Sequence, residues 1–488
     1  MSIARRLLAT AAAVPLGAAV AALLFPPAAS AHSALVGKQD LPIPQWLFAW
    51  GASLVLIVSF VALTLAWRSA LLEDERWRPA PGWLSSAIVN PVTRVLAGAL
   101  GVFLLGVVVW SGLEGTTAPP QNFAPTFVFV TLWLGVVFLS VLLGNFFQAF
   151  NPWRAIASAV SGVFRLIARQ AAPSPLSYPD RLGLWPAVVG LLGFLWFELI
   201  YSAGGTEGLS TNELAIATLV YSVVTFVGMA LFGIEAWTRR GETFSVYFAM
   251  FASLSPIEVR DGRLGLRRPL SGSTKWAVVP GSVALVMVAL GGTVFDGAQE
   301  GLLKEPIEWL FETIQDVGAD PSLASRIANS AFLLLSVGFV AGIYWLGIRG
   351  MRTVRGLDMS VGELGRTFVH SFIPIVLAYL VAHYFTYFLW LEQGQFTYLL
   401  TDPLGDGSNI FGISKDPIDY GVIGANAVWY VQVGALVVGH VTALALAHDK
   451  AVALYRDPRA AARSQYWMLA LMVGFTSLGL FLLSQANQ

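Results

Sequence analysis

The chain contains no cysteine at all. That absence removes disulfides, thiolate metal sites, iron–sulfur clusters and cysteine nucleophiles together, and leaves His, Asp, Glu and Met as the available metal ligands. Charge is scarce as well: only 12% of residues are charged, and 29 basic residues balance 29 acidic ones. Such a chain presents no net field to a polyanion, so nucleic-acid binding is disfavoured. A phosphate-binding glycine loop, H-E-x-x-H and G-x-S-x-G are missing too, and with them the familiar signatures of soluble nucleotide-binding, zinc-protease and serine-hydrolase sites.

What fills the 488 residues instead is apolar: 56% are hydrophobic and the mean hydropathy is +0.68. A water-soluble fold could not cover that much apolar surface. Residues 1 to 31 have a basic start (Arg5, Arg6), an apolar run from Leu7 to Phe25 and the box Ala29-Ser30-Ala31. This pattern predicts a secretory signal cleaved before His32, with residues 32 to 488 as a single multi-pass domain.

Crossing the hydrocarbon layer as helix takes about 20 consecutive apolar residues, because lipid offers no partner to an unpaired backbone group. Ten segments after the signal qualify: roughly 44–67, 95–113, 126–148, 184–204, 212–236, 276–295, 328–348, 369–391, 427–448 and 467–484. The expected fold class is therefore all-α, a polytopic transmembrane bundle of about ten spans. Lys and Arg are retained on the cytoplasmic side. With the mature N-terminus extracytoplasmic, 23 of the 29 basic residues fall in cytoplasmic loops, which fixes the expected orientation in a plasma membrane. Between spans, Asn151 to Gln170 has the amphipathic pattern of an interfacial helix. The stretch Ser255 to Gly272 carries the alternation and Asp-Gly turn of a short hairpin. Asn151-Pro152-Trp153 is expected to cap and turn a helix end.

Five histidines stand out in so apolar a chain. His370 and His448 fall at the cytoplasmic ends of the eighth and ninth spans, where they would snorkel into the interface. His383 falls in the outer half of its span and His440 near mid-membrane. Ionisable groups inside a bilayer are costly and usually face a cavity, so His383 and His440 are candidate metal ligands, for copper or zinc or as haem ligands, or members of a proton path. The alternative is that interhelical hydrogen bonds satisfy both. Glu198 interrupts an apolar span and joins them as a candidate general base, proton carrier or ligand, while Glu235 near the end of the fifth span is a second such carboxylate. His32, once exposed by cleavage, could chelate copper through its amine and ring. The partners implied are the lipid bilayer and a small hydrophobic substrate.

The stretches HSALVGKQDLPIPQWLFAWGASLVLIVSF from His32, FNPWRAI (Phe150 to Ile156), HYFTYFLWLEQGQ (His383 to Gln395) and VGHVTALALAHDKAVALYRD (Val438 to Asp457) resemble bacterial integral membrane proteins that carry the name fenitrothion hydrolase. The resemblance covers almost the whole mature chain and implies a shared fold. The activity it implies is hydrolysis of an aryl phosphorothioate ester, and it assigns no catalytic residues. Three functions stay open at this level. One is a hydrolase with Glu198, His383 and His440 at its site, the second a copper- or haem-binding membrane protein, and the third a transporter or assembly subunit.

Overall fold

The computed structural model describes residues 45–73, 76–168, 175–201, 210–276, 278–299, 301–354, 356–413, 418–455 and 457–486. The expected signal and His32 lie outside these. Among the described residues nine helices are long and apolar enough to cross a membrane, and a shorter apolar helix covers Trp50–Ala66. The fold is an all-α polytopic bundle.

Its centre is the helix Ser282–Gln299, 78% of whose apolar window is buried, against 22% for Pro91–Glu114 at the periphery. The sequence explains the difference. In SVALVMVALGGTVFDGAQ a Cβ added at Gly291 would stand 2.6 Å from the Val337 Cα, and one at Gly292 2.6 Å from the Leu195 side chain. Neighbouring helices can approach on several sides only because those side chains are missing. The central helix packs against Pro321–Arg352, Trp185–Trp196 and Ile373–Gly394. The last of these packs on Ala425–Leu454, which meets Pro458–Ala486 in turn. Peripheral helices such as Thr211–Phe232 instead expose Val220, Val223, Val224 and Val227, the surface expected where lipid is the solvent.

One end of the bundle carries a small sheet. Strands Ile257–Arg260 and Arg263–Arg267 pair antiparallel around Asp261-Gly262, both with positive φ, +48° and +74°. This is the two-residue turn that matches strand twist, and Asp-Gly is the dipeptide that tolerates it. The expected hairpin is therefore present. A third strand, Trp77–Pro79, joins its free side with Trp77 opposite Arg267. No alternation in so short a segment announces it. The amphipathic helix Pro152–Ala168 leaves Val160, Val163, Phe164 and Ile167 exposed on one face, as a helix lying along a membrane surface would.

The segment between the hairpin and the preceding long helix is not a plain loop. Thr243–Ala252 forms a ten-residue helix with nine buried residues, packed against Val136–Leu143 and Trp185–Trp196. Glu242 caps it, accepting from the Phe244 and Ser245 backbone amides at 2.9 and 2.8 Å. The same carboxylate accepts from Asn151 Nδ2 at 2.9 Å and from the Tyr221 hydroxyl. Asn151 also accepts from the Arg154 amide at 2.8 Å, which is the helix cap expected from Asn-Pro-Trp. Four donors on one buried carboxylate fix where the short helix enters the bundle.

Candidate active site

Three helices run in the same direction from the hairpin end and carry ionisable groups to the opposite end. The Leu184 amide donates to the Pro280 carbonyl at 2.8 Å, so two of the helices start level. Glu198 is then about 20 Å along one and Asp296 about 21 Å along the other at 1.5 Å per residue. The third helix, Ile373–Gly394, brings His383 and Tyr384 to the same end.

Asp296 is the hub. Its Oδ2 accepts from the Tyr384 hydroxyl at 2.6 Å and lies 2.7 Å from His383 Nε2, while its Oδ1 accepts from Gln299 Nε2 at 2.7 Å. The His383 and Tyr384 rings meet edge to face at 4.6 Å. A carboxylate on Nε2 fixes the orientation of the imidazole and leaves Nδ1 as its working atom. The His383 side chain is 30% exposed against 13% for Asp296, so the ring is the accessible member of the pair. A Cβ at Gly297 would reach 3.7 Å from Nδ1, and glycine leaves that side of the ring open.

Glu198 lies close enough to Asp296 for their charges to act on each other, and its field also reaches Tyr247, Tyr384 and Tyr387. It sits in the π-helical turn Phe197–Tyr201. The wider turn interrupts the regular hydrogen-bond ladder and re-aims side chains, and such turns recur at functional sites. Its Oε2 is buried with no hydrogen-bond partner among the described residues.

Of the candidates read from the sequence, His383 is bonded to Asp296, a residue that the sequence reading passed over, and Glu198 lies within range of the charge on Asp296. Asp296 stands one position past the expected end of the sixth span, in VFDGAQE, where it looks like a loop acid. The helix in fact continues to Gln299. The available signal was the spacing: Asp296 and Gln299 are i and i+3 on a continuing helix.

His440 is elsewhere. It is fully buried, with Nδ1 2.7 Å from the Leu436 carbonyl of its own helix. Its ring centroid lies 6.1 Å from that of Tyr379. Gly439 abuts Ala378 and Pro374, which puts His440 roughly 9–12 Å from His383 along the bundle axis. His370 and His448 are buried at the hairpin end rather than snorkelling. His370 Nδ1 meets the Thr367 carbonyl at 2.9 Å, and His448 Nε2 meets the Trp67 carbonyl at 3.1 Å. His448 is covered through its neighbour Asp449, whose carboxylate accepts from Trp67 Nε1 at 2.7 Å and from the Leu71 and Leu72 amides at 2.6 and 3.1 Å. That clamp folds the segment after the first helix over the helix end. Glu235 is a surface residue paired with Arg154, its side chain 54% exposed.

Among the described residues no three His, Asp or Glu side chains stand where they could hold one metal ion. His383 and His440 do not converge, and His32 lies outside the described residues. The chemistry below is derived from the protein's own groups.

An apolar crevice of about 1340 Å³ is walled by Leu104, Phe138, Phe194, Phe197, Tyr221 and Phe388 among others, and none of Glu198, Asp296, His383 and Tyr384 lines it. Phe197 precedes Glu198 and Phe388 is one turn beyond Tyr384. Its carboxylate is Glu392, which accepts from Thr131 Oγ1 at 2.9 Å. No family model, no curated protein and no solved structure matches the chain.

Proposed function

We propose that this is a multi-pass plasma-membrane protein whose working site is an acid–base centre made by Asp296, His383, Tyr384 and Glu198. The mature N-terminus and the centre lie on the extracytoplasmic side, an orientation supported by the distribution of arginine and lysine. The observation that carries the assignment is His383 Nε2 at 2.7 Å from Asp296 Oδ2 on a ring that remains partly exposed. A buried carboxylate that orients an accessible imidazole makes that imidazole a positioned base and stabilises the imidazolium formed when it takes a proton.

The reaction it serves is hydrolysis of a hydrophobic ester, the aryl phosphorothioate triester implied by the sequence resemblance being the first to try. His383 Nδ1 removes a proton from a water molecule as the water oxygen attacks phosphorus. The new P–O bond replaces the bond to the aryl oxygen, and the aryloxide leaves with the electron pair. The proton stays on His383, across from the Asp296 carboxylate. The apolar crevice that reaches Phe197 and Phe388 suits a substrate that partitions into lipid.

Purified protein in lipid vesicles should release nitrophenol from such an ester, and Asp296→Asn and His383→Gln should each lower the rate by about 10²–10⁴-fold, the usual worth of a positioned base. Absence of release by the wild-type protein, or full rates in both variants, rules the hydrolytic reading out. A second reading, proton-coupled carriage of a solute, is favoured by Glu198 in a π-helical turn within an apolar helix. Proton movement into vesicles that depends on Glu198, without ester cleavage, distinguishes it.

A further inference from the structure

Three polar atoms near the centre are buried without a hydrogen-bond partner among the described residues: Glu198 Oε2, the Tyr247 hydroxyl and Trp133 Nε1. They come from three separate segments. Trp133 lies in the π-helical stretch Phe127–Gly135, Glu198 in the π-helical turn Phe197–Tyr201, and Tyr247 midway along the buried helix Thr243–Ala252. The Trp133 and Tyr247 rings stack 4.5 Å apart at an interplanar angle of 5°, both sealed from solvent. Glu198 lies close enough to Tyr247 for its charge to act on the phenol.

The depths agree. The Trp133 ring lies 4.6 Å from that of Phe194, and the Phe244 ring 5.5 Å from it. Phe194 is one turn before Glu198 on the same helix, so the stacked pair lies one turn short of Glu198.

Buried polar groups are almost always hydrogen-bonded, and the exceptions call for an explanation. The three orphans are of complementary kind. The indole is a donor only, the phenol donates, and the carboxylate accepts. One small molecule that accepts twice and donates once satisfies all three. Buried waters typically make about three such bonds to otherwise unsatisfied groups.

We propose that Glu198, Tyr247 and Trp133 hold one buried water and form a relay station that passes protons between the Asp296–His383 pair and the interior of the bundle. The water accepts from the indole and the phenol and donates to Oε2, and Glu198 is the member that faces Asp296. This extends the acid–base reading and rests on it for the direction of proton flow. The water site itself stands on the three orphaned atoms.

The test uses the full chain in lipid and infrared difference spectroscopy. The carboxyl band of Glu198 is assigned by its loss in Glu198→Gln. Tyr247→Phe and Trp133→Phe, which each remove one donor and keep ring packing, should both shift that band. Exchange into H₂¹⁸O should displace a water band in the wild-type protein and in neither variant. If the Glu198 band stays fixed in both variants, or no exchangeable water band is lost with them, the station does not exist. Should one variant fail to fold, the other reads the same bridge. A shifted band in a protein without esterase activity keeps the water site and removes the hydrolytic reading. His383-dependent hydrolysis with an unmoved band does the reverse.

Discussion

Replacing Glu242 by alanine should loosen the bundle from within, because one carboxylate serves four donors. The Phe244 and Ser245 amides at 2.9 and 2.8 Å are the open N-terminus of the short buried helix. Losing a cap of this kind costs about 1 kcal/mol. Asn151 Nδ2 at 2.9 Å and the Tyr221 hydroxyl lose their shared acceptor as well, although Asn151 keeps Ser245 Oγ at 2.8 Å. A buried donor left without an acceptor costs about 1–3 kcal/mol, and Tyr221 keeps the Thr225 and Thr243 hydroxyls within reach. The sum is about 2–4 kcal/mol for Glu242→Ala. Glu242→Gln retains one acceptor oxygen and should cost about half as much. Unfolding of the purified protein by a graded denaturing detergent in mixed micelles reads both. Because the buried helix carries Tyr247, the alanine variant should also become sensitive to protease between residues 237 and 256 before global unfolding. A Glu242→Ala protein that unfolds together with the wild type would refute the assignment of this carboxylate as the anchor of the buried helix.

Three further outcomes follow from the same geometry. Glu235→Ala removes a pair with Arg154 whose acidic member is 54% exposed, so it should change stability by less than about 1 kcal/mol, and the contrast with Glu242→Ala is read in the same unfolding experiment. Gly439→Val places side-chain atoms where a Cβ alone would stand 2.3 Å from the Ala378 Cβ and 2.8 Å from the Pro374 carbonyl. It should destabilise by about 1–3 kcal/mol, and single-cysteine crosslinks between the helices Ile373–Gly394 and Ala425–Leu454 should form more slowly. Asp320 caps the helix Pro321–Arg352, and hydrogen bonds, first from the Ser322 hydroxyl and then from the Leu323 amide, hold its carboxyl below the usual carboxylate range. A depressed folded-state value stabilises above the unfolded value of about 4 and is lost as pH falls through the folded one. Hydrogen exchange at the Ser322 and Leu323 amides should therefore accelerate in acid, and Asp320→Asn should abolish that pH dependence while keeping the cap.

The spans, the hairpin turn at Asp261-Gly262 and the cap at Asn151 were legible because each is written locally, as a run of apolar residues, a dipeptide or a capping residue. The buried helix Thr243–Ala252 was not, since TFSVYFAMFA is too short for a span and apolar on every side, so it shows no amphipathic period. Half of the candidate site was readable for the same reason. Glu198 and His383 interrupt apolar runs and draw notice, whereas Asp296 sits at a run's edge and gains its meaning from a partner 87 residues away. His440 looks equivalent to His383 in sequence and differs in what faces it. Its own helix supplies the Leu436 carbonyl, while a neighbouring helix supplies His383 with a carboxylate. No periodicity records such a choice.

With only five histidines in the chain, the ring nitrogens of His383 can be resolved by solid-state NMR of ¹⁵N-histidine-labelled protein in lipid, assigned through His383→Gln. A strongly hydrogen-bonded Nε2 proton is expected on His383 that weakens or disappears in Asp296→Asn, while the His440 signals stay in place. A His383 ring that does not respond to the loss of the Asp296 carboxylate would contradict the pairing on which the acid–base centre is built.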